Sequence, residues 1–167
     1  MKVEEEYERL GALAYLAAWD VRRAKVFGRC EESTGIVPFD KLVEQVMEQE
    51  PYQSASRVFW VMDNGSSHRG KLGDKRIQAK WKNIVPVHTP IHASWLNQVE
   101  IYFSIVQRKV LTPNDFDSLL AVKDRLIRFQ AYYETIAKPF EWKFTRRDLD
   151  EIMNKIKPAA IPLCPAA

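Results

Sequence analysis

The sequence predicts an α/β fold, with one layer of sheet and helices packed against it. Two observations predict it. Val58 to Met62 is an unbroken apolar run of strand length. Around it, several stretches repeat apolar residues every three or four positions, the period of a helix with one buried face.

Taken in order, "LGALAYLAAWDV" (10–21) and the alternating "KVFGRC" (25–30) read as an antiparallel hairpin joined at "VRRA". The first run is rich in Ala and Leu, so a helix stays open for it. "GIVPFDKLVEQVMEQE" puts Phe39, Leu42, Val43, Val46 and Met47 on one face, with Pro38 in the first turn of a helix. "RVFWVMDNGSSH" places Val58 to Met62 in a central strand buried on both faces, ending at Asp63 before an "NGSS" turn. "NIVPVHTP" is a short strand ended by Pro90. In "TPIHASWLNQVEIYFSIVQRKVL" the apolar face runs through Trp95, Val99, Tyr102, Val106 and Val110. Leu119, Val122, Leu126, Phe129, Tyr133 and Ile136 make a further helical stripe. A Thr-x-x-Asp cap (Thr145, Asp148) opens a last helix that buries Leu149, Ile152, Met153 and Ile156. Residues 1–157 then form one domain, and the Pro/Ala-rich 158–167 a poorly ordered tail.

Composition excludes several classes. Apolar residues make up 46% and charged residues 28%, which fits a globular domain and not a disordered or fibrous chain. No window approaches a membrane span, and the acidic "MKVEEEYERL" is unlike a signal peptide. Cys30 and Cys164 fit no metal or redox spacing, so a reduced, cytosolic setting is expected. A net charge of only +3 does not by itself argue for nucleic acid. Its distribution is more informative: Arg69, Lys71, Lys75, Arg76, Lys80 and Lys82 crowd together with only Asp74 against them.

Asp63 ends a strand, where a side chain projects into the crevice beyond the sheet edge. Glu100 lies at the border of an apolar helix face, where a carboxylate is costly to desolvate unless paired or bound to metal. If that helix packs across the sheet edge, the two acids could meet. Carboxylates held together repel unless a cation neutralises them, and Mg²⁺ or Mn²⁺ suits oxygen donors. Two such ions about 4 Å apart can activate an attacking hydroxyl and stabilise the leaving oxygen of a phosphodiester. The basic segment after Asp63 could then hold a phosphate backbone. The alternatives are a turn Asp, a solvated boundary Glu and a solvated basic face. His88 and His92 are separated by Pro90, which forbids a shared helix face, and they read as loop residues.

"VMDNGSSHRGK", "HTPIHASWLNQVEIYFSIVQRKVL" and "PFEWKFTRRDL" together resemble the transposases of bacterial insertion sequences related to mariner elements. The resemblance runs from about Tyr7 to Lys157. It implies an RNase H-like mixed sheet flanked by helices and a DDE active site, in which Asp63 and Glu100 match the second and third acids. It further implies Mg²⁺ or Mn²⁺ as cofactor, DNA cleavage by activated water and transfer of the freed 3′ end to target DNA. Asn64, His68 and Asn97 become contacts to substrate or to the acids, and Arg69, Lys71, Lys75 and Arg76 contacts to the DNA backbone. Partners are DNA, a second copy, or a polypeptide carrying the N-terminal part, in the bacterial cytoplasm with the nucleoid.

The chain also departs from that family. Its first acid belongs on a strand upstream of the segment that begins here at Tyr7, so the first strand and first Asp are expected to be missing. Asp20 matches the family's turn position after the next strand and reads as a turn residue. Ala24 stands where relatives often have a turn Gly. The helix-turn-helix that reads element ends is also expected to be missing, so sequence-specific recognition is not expected from this polypeptide alone. Inactivity of the chain by itself follows as an expectation. The competing reading is a non-catalytic module that binds DNA or pairs with an intact transposase, and a different RNase H-like nuclease ranks last.

Overall fold

Phe39, Leu42, Val43, Val46 and Met47 recur at helical spacing and form the buried stripe of helix α1, Ile36–Met47. One of the two cores among the described residues is built under that helix. The computed structural model describes residues 11–68, 70–91, 93–141 and 145–156. Among them the chain forms four strands and five helices, a mixed α/β arrangement.

Strands β1 (Ala14–Asp20) and β2 (Lys25–Glu31) pair antiparallel from Ala14↔Glu31 to Asp20↔Lys25. The run for which a helix stayed open is therefore a strand. Its continuous apolarity has a reason in period two: Leu16 and Ala18 turn toward α1, while Tyr15, Ala17 and Trp19 turn toward the helices on the opposite face. Ala24 closes the turn at φ 54, a left-handed conformation that costs an L-residue roughly 1–2 kcal/mol relative to glycine.

Strand β3 (Val58–Met62) runs parallel to β4 (Ile84–His88), with Val58 opposite Ile84 and Met62 opposite His88. Two expectations are corrected here. β3 is not buried on both faces: Val58, Trp60 and Met62 turn to the α1 core, but Phe59 is 64% exposed and Val61 is also exposed. Nor is there one sheet, because β1–β2 and β3–β4 are separate two-stranded sheets joined through the core under α1. It is β1 that packs on both faces, with its residues half-buried, and an unbroken apolar run does not tell the two cases apart.

Helix α2 (Gly70–Lys80) follows β3. A short 3₁₀ turn, Ser94–Leu96, precedes α3 (Val99–Lys109), so the helix starts a turn later than its apolar stripe implied. Trp95 sits in that turn and is partly exposed, whereas Val99, Tyr102, Val106 and Val110 are buried. Helix α4 (Leu119–Ile136) buries Leu126 and Tyr133 on a narrow seam against β2 and leaves Ile136 exposed. Helix α5 (Arg146–Ile156) begins on the expected cap: Asp148 accepts from the Thr145 backbone N–H at 2.7 Å, and Thr145 Oγ1 accepts from the Asp148 N–H at 3.3 Å. Leu149 and Ile152 are half-buried there; the side chains of Met153 and Ile156, and residues 158–167, lie outside the described residues. No helix among the described residues is long and apolar enough to cross a membrane.

Candidate active site

β3 delivers Asp63 one residue beyond its end, and the chain there turns at once. Gly65 N–H donates to Asp63 Oδ1 at 3.0 Å, a local turn of the kind Asp favours. His68, one loop further on, places its Nε2 2.8 Å from the same Oδ1. Oδ1 is thus the acceptor of two hydrogen bonds, and the Asp63 side chain is still 40% exposed.

Glu100 is the second residue of α3. Its residue is exposed, yet its carboxyl is held above the usual carboxylate range. Partial desolvation is the larger cause, and the negative charge of Asp63 the second. The two acids are therefore within electrostatic reach of each other. The linkage has a definite sign: a carboxyl that binds its proton more tightly when folded loses stability as pH rises from the usual carboxylate value through the raised one. At neutral pH that penalty is present in full. Glu100→Gln is expected to raise Tm at pH 7 by up to about 2 °C, with no gain at pH 4, on a scale where about 1 kcal/mol moves Tm by roughly 2–4 °C. Paired thermal melts at the two pH values check it.

Two hard, like-charged oxygen donors, one with its Oδ2 unengaged by any hydrogen bond among the described residues, fit a divalent cation such as Mg²⁺ or Mn²⁺. No group of three or more His, Cys, Asp and Glu placed to hold a metal occurs among the described residues. Asp20 does not fill the gap. It accepts from the backbone N–H groups of Arg22 and Arg23 at 2.8 and 2.9 Å and from the Tyr52 hydroxyl at 2.5 Å, and these bonds hold its carboxyl below the usual range against the opposing effect of burial. It is a turn residue, fully engaged.

The other sequence candidates divide. Asn97 Oδ1 accepts from the Val99 N–H at 3.4 Å, at the entry to α3. Asn64 Nδ2 donates to the Thr89 carbonyl at 2.9 Å, tying the loop after β3 to the end of β4. Lys71 and Lys75 are exposed on α2, with no ion pair among the described residues. Arg76 is different: its guanidinium forks onto Asp40 of α1 at 3.0–3.2 Å and also reaches the Ser67 carbonyl at 2.8 Å. Lys80 pairs with Glu44. Arg69 and His92 lie outside the described residues.

Some contacts around the site were not readable from the sequence. His88 is the last residue of β4, not a loop residue, and its Nε2 lies 2.8 Å from Asp74 Oδ1 on α2. Thr89 Oγ1 and Gln98 Oε1 are buried without a hydrogen-bond partner among the described residues. Gly73 was similarly unmarked: a Cβ there would fall 2.6 Å from the His68 carbonyl oxygen, so α2 can lie against the Asp63 loop only because this position lacks a side chain.

No curated protein and no solved structure matches the chain. The sequence model of the DDE superfamily endonuclease family matches residues 1–123, a span that takes in the whole Asp63 loop and the α3 entry and stops early in α4. With an Asp at the end of a strand and a Glu at the start of a helix brought within electrostatic reach inside that span, the chain belongs to the DDE superfamily endonuclease family.

Proposed function

We propose that the chain contributes the second and third acids of a transposase catalytic domain that cuts DNA and joins the freed end to a target, as in bacterial insertion sequences. The observation that carries this reading is that Asp63, at a strand end, and Glu100, at a helix start, lie within electrostatic reach of each other inside the family match. Asp63, through Oδ2, and Glu100 would hold Mg²⁺ or Mn²⁺, which supplies an activated water and neutralises charge on the phosphate. Asn97 sets the entry of α3 and so the approach of Glu100, and Asn64 fixes the loop against β4. Arg69, Lys71 and Lys75 bind the phosphate backbone, while Arg76 is committed to Asp40. The remaining acid comes from a polypeptide carrying the N-terminal part, so that this chain alone does not cut.

The experiment is supercoiled plasmid incubated with the purified chain in Mn²⁺, in Mg²⁺ or in EDTA, with binding followed at rising salt. Salt-dependent DNA binding, no nicking by the chain alone, and nicking once the complementary polypeptide is added are expected. Metal-dependent nicking by the chain alone would place a complete site within it and overturn the shared-site part of the reading. Binding that persists in EDTA, with no nicking even alongside the complementary polypeptide, would leave the chain a DNA-binding module.

A further inference from the structure

We propose that Asp40 and Arg76 act as positioning residues for Asp63, through a relay that runs from α1 through the loop after β3 to the Asp63 carboxylate. The proposal rests on the reading of Asp63 as a cation donor and assigns to Arg76 a role other than DNA contact. The relay is continuous. Asp40 receives both Nε and Nη2 of Arg76 at 3.0–3.2 Å, a two-pronged pair whose planar geometry fixes the guanidinium. The same Nη2 donates to the Ser67 carbonyl at 2.8 Å, so the fork holds the loop at its backbone. Ser67 Oγ lies 2.9 Å from His68 Nδ1, and His68 Nε2 lies 2.8 Å from Asp63 Oδ1.

The direction of the hydrogens follows from the acceptor at the end. A carboxylate only accepts, so Nε2 carries the proton; in the neutral imidazole Nδ1 then accepts, and the Ser67 hydroxyl donates to it. With His68 Nε2–H and Gly65 N–H both on Oδ1, the carboxylate is left to bind through Oδ2. Two packing contacts hold the imidazole in that pose. The Phe39 ring, next to Asp40 on α1, lies 4.5 Å from it centre to centre. α2 in turn lies against the His68 backbone at Gly73. Arg76 is thus the point at which α1, α2 and the loop are tied together, which an exposed lysine in its place could not do with the same geometry.

Such a relay is read in two ways, one of which needs no metal. In ¹⁵N-histidine-labelled protein, His68 (identified by its loss in His68→Gln) should show a protonated Nε2, an accepting Nδ1 and a slowly exchanging Nε2 proton. Arg76→Lys and Asp40→Asn should each speed that exchange about tenfold. They should also weaken Mn²⁺ binding, measured by electron paramagnetic resonance, by about tenfold, at the lower end of the roughly 10–100-fold lost with an outer partner of a metal ligand. Lys155→Ala, an exposed charge on α5, should change neither. Asp40→Asn keeps the shape of a partly exposed side chain but loses its charge and turns one acceptor oxygen of the fork into a donor amide, so it stays informative if Arg76→Lys proves too unstable to study. Exchange and affinity within twofold of wild type in both variants would overturn the relay. Failure of the underlying reading looks different: Mn²⁺ affinity unmoved by Asp63→Asn, with the His68 signals still responding to Arg76 and Asp40.

Discussion

Asp63→Asn should weaken Mn²⁺ binding by about 100-fold or more, beyond the roughly 10–100-fold that loss of an outer partner costs. Glu100→Gln should do the same. The amide keeps the shape of each side chain but takes away a charge, and for a hard cation with only oxygen donors charge is most of the interaction. The double variant should be hardly worse than either single one, because two donors that share one ion act as a unit. Titration with Mn²⁺ measures the effect, and retention of affinity within about threefold in either single variant would remove that residue from the site. Paired with the thermal melts, the Glu100 result carries a further point. The same substitution is expected to stabilise the fold at neutral pH and to destroy the site, since partial desolvation and, second to it, the charge of Asp63 make the Glu100 carboxylate costly until a cation neutralises it.

Asp63 and Glu100 were legible as candidates from their positions, one ending an apolar strand at a turn, the other bordering an apolar helix face where a carboxylate is costly to desolvate. What lay around them was not. Arg76 counts as one more cation in a basic run, and composition has no means of showing that Asp40, a full helix and strand earlier in the chain, already occupies it. The same holds for His88, where a strand end and a partner on α2 replaced the loop read from Pro90. Asp20 was placed in a turn by its position, and the turn uses its carboxylate fully. Among the strands the hairpin was readable from its break at "VRRA", whereas the burial of β3 was not. Period and hydrophobicity describe a segment; whether a second face is covered depends on which helices return over it. Here α3 and α4 return over β1–β2, and Phe59 and Val61 stay in contact with solvent.

Tyr102→Ala should cost about 3–5 kcal/mol, the range for emptying an aromatic site in a core, and lower Tm by roughly 10 °C or more. Tyr102 is fully buried where β1, α3 and α4 meet, with the Tyr133 ring 5.3 Å away and the Tyr15 ring 6.4 Å away. Its hydroxyl lies 2.9 Å from that of Tyr15, which in turn donates to Gln130 Oε1 at 3.3 Å. Gly28 makes room for this network, since a Cβ there would stand 2.2 Å from the Tyr15 oxygen. Burial pushes the Tyr102 phenol up to about 12 and that of Tyr15 higher still, so both keep their protons across the physiological range. Tyr102→Phe removes the hydroxyl but fills the same space, and should cost only about 1 kcal/mol, the net value of one hydrogen bond. The two variants therefore separate packing from polar contact, and urea unfolding gives both numbers. They also bear on the site, because Tyr102 sits two residues after Glu100 on α3 and docks that helix against β1. Tyr102→Phe, with the helix still docked, should bind Mn²⁺ within about twofold of wild type; a larger loss would mean that the hydroxyl pair itself, and not the packing of the ring, sets where Glu100 stands.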